Sequence, residues 1–186
     1  MRPLFTVHAG EYLVGIRLQE LGLNAWIPAK DSGIDLLVTD PENRRTTSLQ
    51  VKYGKDFLPG KPAVWRNSMR CHSWFVLDRA KLDASRADFW VFVLHGFKAD
   101  KPDFVIIPKA ELRRRMVDIH GSDIARLQSY LCSTENKKCW ETRGLQNSAM
   151  VQIANGTYED PVREFTEYLN ENGWAAITKK LFVASG

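Results

Sequence analysis

The sequence predicts an α/β domain in which a mixed central β-sheet is flanked by helices. Segments with the two-residue period of strands alternate with segments of helical spacing. Residues 88–94 form an almost continuous apolar run, which is typical of a central strand buried on both faces. The 186 residues suit one domain, with a core over about residues 1–118 and a helical extension over about residues 119–186.

The composition excludes some classes of protein. A hydrophobic fraction of 44% and a charged fraction of 26% are ordinary for a soluble globular protein. No apolar run reaches membrane-spanning length, so we expect no membrane partner. The 3 cysteines cannot all pair within the chain, which favours a reducing cytoplasmic location. A formal net charge of +4 permits nucleic-acid binding without demonstrating it.

The first predicted element is a helix over residues 6–21, ended by Gly22. Val14 and Leu18 lie on one apolar stripe, and Glu11 precedes them by one turn on the same stripe. A carboxylate that points to the core is costly unless it is paired or binds a metal. The alternative places Glu11 in solvent near the helix start, where the helix dipole favours negative charge.

A hairpin is predicted next. Asp35 alternates with apolar residues in the first strand, residues 40–43 have good turn chemistry, and Gln50 and Lys52 share one side of the second strand. The hairpin would bring a carboxylate, an amide and an ammonium to one face. This combination is the beginning of a metal site beside a positive charge. Alternation alone favours a simpler interpretation, a polar sheet face in contact with water.

A helix glutamate, then Gly-Ile-Asp, then Gln-x-Lys on the next strand resembles the PD-(D/E)xK nuclease superfamily. The most similar patterns are those of Mrr-like restriction endonucleases and archaeal Holliday-junction resolvases. Glu11, Asp35, Gln50 and Lys52 match the motif in order, over about the first third of the chain. The resemblance implies a restriction-endonuclease-like core. Gln50 replaces the usual acidic residue, and a neutral ligand should weaken cation binding.

The resemblance also implies an activity, the metal-dependent hydrolysis of phosphodiester bonds in double-stranded DNA. Asp35, Gln50 and the carbonyl of Val51 would hold Mg²⁺ or Mn²⁺. Glu11 would assist directly or through water. Lys52 would position the attacking water and stabilise the developing negative charge. Because cutting both strands requires two sites, a homodimer fits this function.

Two other functions stay open at this point. The first is a nucleic-acid-binding module that keeps the nuclease fold but is catalytically weak or inactive, and Gln50 is the residue that supports it. The second is a plain structural or interaction domain, in which an inward Glu11 would have no explanation.

Residues 54–72 combine basic residues with glycine, proline and aromatic residues, and the sequence predicts a long connection there. It leaves the strand of Lys52 directly, so it could reach nucleic acid on that face. Phosphate contacts would then supply much of the affinity. An ordinary solvated loop is the alternative. The candidate contacts are Lys55, Lys61, Arg66 and Arg70.

Downstream, the sequence predicts a short strand or ordered loop over residues 73–77, strands over 88–94 and 104–107, and helices over 78–85, 110–116, 121–131 and 160–173. A closing helix with Trp174, Ile177 and Leu181 is expected to pack on the core.

Three groups of polar residues are weaker candidates. The arginines at 113–115 would touch phosphates or form a solvated face. His120, Cys132 and Cys139 match no common zinc-finger spacing, so we interpret the two cysteines as structural or free thiols. His8 lies near Glu11 and would either pack at the surface or help to orient water.

Overall fold

The computed structural model describes residues 8–29, 33–56, 64–96 and 101–182. Its helices are α1 (Ala9–Glu20), α2 (Arg79–Ala84), α3 (Lys109–His120), α4 (Asn147–Asn155) and α5 (Asn170–Phe182), with 3-10 turns at Val64–Ser68 and Thr166–Tyr168. Its strands are β1 (Asn24–Trp26), β2 (Leu36–Thr39), β3 (Thr46–Asp56), β4 (Met69–Asp78), β5 (Phe89–Leu94), β6 (Asp103–Pro108), β7 (Arg126–Thr134) and β8 (Cys139–Glu141).

Strand β3 joins two sheets. Its first part pairs antiparallel with β2 and parallel with β5, which gives a main sheet of order β1-β2-β3-β5-β6. Its last two residues pair antiparallel with β4, which continues into a second sheet of order β4-β7-β8. The predicted mixed sheet flanked by helices is confirmed. No helix within the described ranges is long and apolar enough to cross a membrane.

The core has one cluster on each face of the main sheet. All six residues of β5 are buried, as the apolar run predicted. Val91 faces a cluster with Val14 of α1 and Trp174 of α5, whereas Trp90 faces a cluster with Leu112 of α3. Burying a large apolar side chain stabilises the fold by about 1.5–3 kcal/mol. Helices therefore pack against both faces of the main sheet through the side chains of β5.

The predicted hairpin is confirmed. Leu36 of β2 lies opposite Leu49 of β3. In the turn, the Asn43 N–H donates to the Asp40 carbonyl at 3.0 Å, and the Asp40 carboxylate accepts from the Arg44 N–H at 2.7 Å. The Asp40 carboxylate therefore closes the turn that fixes the register of the two strands.

Gly54 lies where β3 passes from the main sheet toward the second. A Cβ at this position would lie 2.6 Å from Phe75 Cζ and 2.8 Å from Ser73 Cβ. The close approach of β4 to β3 therefore requires a residue without a side chain at this point.

The predicted connection over residues 54–72 is too long at both ends, because β3 continues to Asp56 and β4 begins at Met69. The segment over 73–77, expected to be a short strand or an ordered loop, is part of the ten-residue strand β4. A 3-10 turn, Val64–Ser68, leads into it. Residues 57–63 lie outside the described residues.

The helix predicted over residues 121–131 is wrong, because strand β7 occupies most of this segment. Leu127 is buried and Gln128 is exposed, which is the alternation of a half-buried strand. The partner of β7 is β4, about fifty residues earlier in the chain, so only long-range pairing reveals it. The region predicted as a helical extension thus contains two strands of the second sheet as well as α4 and α5.

The helix predicted over residues 160–173 is wrong for residues 160–169, because the helix in this part of the chain begins only at Asn170. The buried side chain of Arg115 donates from Nη1 to the carbonyls of Pro161, Val162 and Glu164, at 2.6 to 3.0 Å. Those carbonyls would have to accept main-chain N–H groups in a helix, so the guanidinium holds the segment in turns. The closing helix is confirmed as α5, and its apolar stripe is buried.

The arginines at 113–115 all pair with acids of the chain. Arg115 binds Glu111 and Glu167, Arg114 also binds Glu111, and Arg113 lies 2.6 Å from Asp83. Arg114 and Arg115 together hold the pKa of Glu111 well below its usual value, at about 2. Internal ion pairing therefore accounts for this basic cluster.

A buried carboxylate, Asp103, connects the two sheets with α5. It accepts hydrogen bonds from Ser133 Oγ at 2.6 Å, from Asn170 Nδ2 at 2.9 Å and from Arg70 Nε at 3.2 Å. Burial alone would raise the pKa of Asp103, but these three donors outweigh it, and the net shift is downward. The charged form of Asp103 therefore stabilises the native fold.

We expect Asp103→Ala to lower the free energy of unfolding by about 3–5 kcal/mol, because it leaves Arg70 and two other donors without their shared acceptor. Chemical denaturation at neutral pH measures the change. The exposed Asp123, which accepts from its neighbour Ser122, provides the control, and Asp123→Ala should change stability by less than about 0.5 kcal/mol.

The same pair of variants has a pH dependence. Since the pKa of Asp103 is lowered on folding, its contribution is complete above its unfolded value of 3.8 and is lost as the pH falls through the folded value. The stability difference between wild type and Asp103→Ala should therefore shrink in strong acid. Equal stability of the two proteins at neutral pH would contradict the structural role of Asp103.

Candidate active site

The site lies where the β2–β3 ladder ends. Strand β2 starts at Leu36, and Asp35 precedes it with its N–H bonded to the Leu49 carbonyl at 2.8 Å. The Asp35 carboxylate then takes the place of a strand acceptor, because Oδ2 accepts from the Val51 N–H at 2.6 Å and from Gln50 Nε2. The structure thus brings Asp35 and Gln50 together, as the hairpin predicted.

Helix α1 brings Glu11 to the same place. A Cβ on Gly10 would lie 2.9 Å from Tyr53 Cβ and 3.3 Å from Val51 Cγ1, so the first turn of α1 packs directly on β3. The Glu11 side chain is only 14% exposed, and its Oε2 lies 2.8 Å from His8 Nδ1. Because a carboxylate oxygen can only accept, Nδ1 carries the proton in this pair.

Lys52 follows Gln50 by two residues and therefore lies on the same face of β3. Its Nζ is 5.4 Å from the ring centroid of Trp90, which is almost fully buried on β5. An ammonium over an indole face is attracted by the ring quadrupole. The indole therefore favours one position of the ammonium beside the two carboxylates.

These side chains line one cleft of about 590 Å³. Its lining includes His8, Glu11, Gly33, Asp35, Gln50, Val51, Lys52, Lys81, Ser85 and Trp90. The acids come from α1 and the start of β2, and the lysines come from β3 and α2. The cleft therefore presents carboxylates and ammonium groups together, an arrangement that suits a bound metal ion and a phosphate group.

Lys81 and Trp90 are parts of the cleft that the sequence analysis missed. Lys81 is the third residue of α2, which follows the long strand β4 and folds back over the site. Trp90 lies opposite Gln50 in the parallel β3–β5 pair. Both positions depend on the crossover between β3 and β5, and no local pattern indicates it.

The donors at the cleft are hard oxygen atoms, the kind that Mg²⁺ and Mn²⁺ bind. The Val51 N–H points toward Asp35, and the C=O of a strand residue points to the same side as its N–H, so this carbonyl also faces the end of β2. Among the described residues, no three His, Cys, Asp or Glu side chains form a metal-binding group. The donor set fits Mg²⁺, which is typically bound by one or two carboxylates, with water and substrate oxygens completing its shell.

Gln50 changes the electrostatics of this donor set. Its Nε2 donates to Asp35, and its Oε1 lies 4.0 Å from the position that a Cβ on Gly33 would take. The amide oxygen therefore points away from the Asp35 carboxylate, and shared binding of a cation requires the amide to turn. A neutral amide also avoids the repulsion that two adjacent carboxylates would have.

Two of the candidate phosphate contacts, Arg66 and Arg70, lie apart from the cleft. Arg66 lies in the 3-10 turn and is partly exposed, and Arg70 pairs with the buried Asp103; neither lines the cleft. The side chain of Lys55 and all of Lys61 lie outside the described residues. Their binding to nucleic acid stays a prediction.

Comparison with known proteins gives one similar structure. No family model matches the chain. No curated protein matches it. Among solved structures, the bacterial homing endonuclease I-Ssp6803I is 17% identical, with 93% of this chain and 88% of that chain covered and a TM-score of 0.47. A similarity at this level does not identify a function for the chain.

We expect Gln50→Glu to make the site depend on a cation. Without divalent ions, repulsion between the introduced carboxylate and Asp35 costs about 1 kcal/mol, which lowers the melting temperature by about 2–4 °C. Mg²⁺ should raise the melting temperature of the variant more than that of the wild type, because a second carboxylate increases cation affinity.

A Mg²⁺ titration followed by thermal melting tests this prediction. Gln152→Glu, at an exposed position of α4, introduces the same charge away from the cleft and should leave the Mg²⁺ response of the wild type unchanged. A Gln50→Glu protein with the same Mg²⁺ response as Gln152→Glu would show that the cleft does not hold the ion.

Proposed function

We propose that this chain is a Mg²⁺- or Mn²⁺-dependent endonuclease that hydrolyses phosphodiester bonds in double-stranded DNA. The observation that supports this most strongly is the meeting of Asp35, Glu11 and Lys52 in one cleft, which Val51 also lines. Glu11, Asp35, Gln50 and Lys52 match the PD-(D/E)xK motif in order. The fold also contains a mixed sheet, as the resemblance to that superfamily implies.

The carboxylates have binding roles in this function. Asp35 is held by the Val51 N–H, so its position is fixed by the backbone before any ligand arrives. Glu11 is oriented by the proton on His8 Nδ1. A bound Mg²⁺ would supply Lewis acidity toward the phosphate and would lower the pKa of a coordinated water. Such fixed ligands reduce the reorganisation needed during the reaction.

Lys52 supplies the cation next to the reacting phosphate. Its ammonium can donate hydrogen bonds to the attacking water and to a phosphate oxygen that gains negative charge. Contact with the Trp90 ring keeps it near Gln50 without a competing salt bridge in the described part of the chain. The charge of Lys52 is thus available to the substrate.

The substrate class follows from the charges of the cleft. Lys81 is exposed on α2 and lines the wall beside Ser85, so it adds a second ammonium to the cleft. A polyanion gains from both lysines and from the net charge of +4. Cleavage of both strands of a duplex requires two such sites, so we propose that the active form is a homodimer of cytoplasmic protein.

One observation favours a second function, a nucleic-acid-binding module with little or no turnover. The Gln50 amide already donates a hydrogen bond to Asp35, so one carboxylate oxygen of the donor set has a partner without a cation. In that case the cleft would bind phosphates through its lysines alone. The two functions differ in whether a divalent ion is required.

Incubation of supercoiled plasmid with Mg²⁺, with Mn²⁺ and with chelator tests the proposal. We expect cleavage with either ion and none with chelator. Lys52→Ala should reduce the cleavage rate by about 10²- to 10³-fold, the usual effect of removing one group that stabilises developing charge. Lys179→Ala removes an exposed lysine of α5 that lies outside the cleft and should cut like the wild type.

Asp35→Asn separates binding of the ion from the later chemistry. It should abolish both cleavage and Mg²⁺ binding measured by calorimetry, whereas Lys52→Ala should retain Mg²⁺ binding. A wild-type protein that binds DNA but cuts with neither ion would establish the binding module instead. Equal cleavage by Lys52→Ala and the wild type would overturn the role given to Lys52.

A further inference from the structure

The outer face of the second sheet exposes aromatic rings. In β4, Phe75 and Leu77 are buried in the core, whereas Trp74 and Val76 point the other way and are 45% and 42% exposed. Trp74 lies directly opposite Tyr130 of β7. Residues opposite each other in an antiparallel pair have side chains on the same face, so these two rings are neighbours. Val76 and Tyr130 lie on the same sheet face as Trp74, and a contiguous group of exposed apolar side chains is the feature that marks a binding surface.

Buried groups hold this face rigid. Tyr130 lies 6.1 Å from the His72 ring, and His72 lies 6.2 Å from the Trp65 ring. The Trp65 indole donates to Asn147 Oδ1 at 2.8 Å, and His72 Nε2 is 3.1 Å from Thr142 Oγ1. The rings border a cleft of about 470 Å³. The rings of Tyr130, His72 and Trp65 are therefore held in position before any ligand binds.

Cations and an amide complete the surface. Arg126 is exposed on β7, and Arg143 lines the cleft beside Gln128. Within the described ranges, neither guanidinium forms an ion pair. Asp78, opposite Arg126, instead accepts the Lys81 N–H at 2.9 Å and caps α2. Burial lowers the pKa of His72 to about 4, so the imidazole is neutral at neutral pH and the two arginines supply the local positive charge.

We infer that this outer face binds single-stranded DNA, with unstacked bases on Trp74 and Tyr130 and phosphates at Arg126 and Arg143. Aromatic side chains next to unpaired cations are the combination that binds single strands, because every base offers a ring face and every linkage carries a charge. The Gln128 amide can bond to the edge of a base in the cleft.

The surface suits a single strand better than a duplex. Bases in a duplex are stacked on each other, so their faces are not available to a side-chain ring. It also uses β4, β7 and the segment after β8, whereas the candidate active site uses α1, β2, β3 and α2. Binding at the outer face is therefore independent of catalysis in the other cleft.

Binding of a fluorescein-labelled oligothymidylate, followed by anisotropy, tests the inference. Trp74→Ala should weaken binding roughly 5- to 150-fold, the fold-change that corresponds to loss of one base stack. Trp26→Ala is the matched control, because Trp26 is 54% exposed on the edge strand β1 and lies outside the cleft beside the outer face. It should bind like the wild type.

A charge variant tests the phosphate contact independently. Arg126→Ala should lower the slope of log K against log salt by about 0.7, the value for one phosphate of a single strand. Arg86→Ala, at an exposed position between α2 and β5, should keep the wild-type slope. Since both arginines are exposed, neither change should disturb folding, and thermal melting of each variant checks this.

Three results would overturn the inference. Equal effects of Trp74→Ala and Trp26→Ala would remove the stacking role. An unchanged salt slope in Arg126→Ala would remove the phosphate role. Loss of self-association on Trp74→Ala, with unchanged oligothymidylate binding, would assign the face to a protein contact. Because Trp74 lies outside the candidate active site, oligothymidylate binding that depends on Trp74 is expected whether or not the wild type cuts plasmid, so failure of the proposed nuclease function and failure of this inference are distinguishable.

Discussion

Strand β3 forms backbone ladders with β2, β5 and β4, and the candidate site exists because one of these ladders stops early. Where β2 has not yet begun, the Val51 N–H has no strand carbonyl to bond to, and the Asp35 carboxylate takes its place. The Asp35 carboxylate therefore accepts this backbone hydrogen bond and also provides the central charge of the cleft. The early end of β2 therefore explains how the hairpin holds this carboxylate in a fixed position.

The neutral amide at position 50 balances two requirements. Beside Asp35, it donates a hydrogen bond and avoids the repulsion that an acid would introduce. The same neutrality lowers the attraction for a divalent ion. At position 50, a neutral amide favours stability without a bound ion, whereas an acid would favour affinity for the ion. In the proposed nuclease, oxygens of the substrate would therefore complete the shell of the ion.

The sequence predicted the parts of the fold that local patterns determine. The hairpin, α1, the buried β5 and α5 each follow from spacing within one segment, and so does the meeting of Asp35 with Gln50. Long-range contacts determine the rest. Residues 126–134 form a strand only because β4 is available to pair with them, and residues 161–164 are not helical because Arg115 binds the carbonyls of Pro161, Val162 and Glu164. The crossover likewise places Lys81 and Trp90 in the cleft.

Strand β3 continues from one sheet into the other, and this continuity limits where the chain can gain or lose residues. Successive residues of a strand face opposite sides, so one inserted or deleted residue between Lys52 and Gly54 would reverse every side chain beyond it. Gly54 would no longer meet Phe75, where only a glycine fits, and the second sheet would lose its register. Insertions and deletions are therefore expected in surface connections outside the β2–β3 turn rather than within β3.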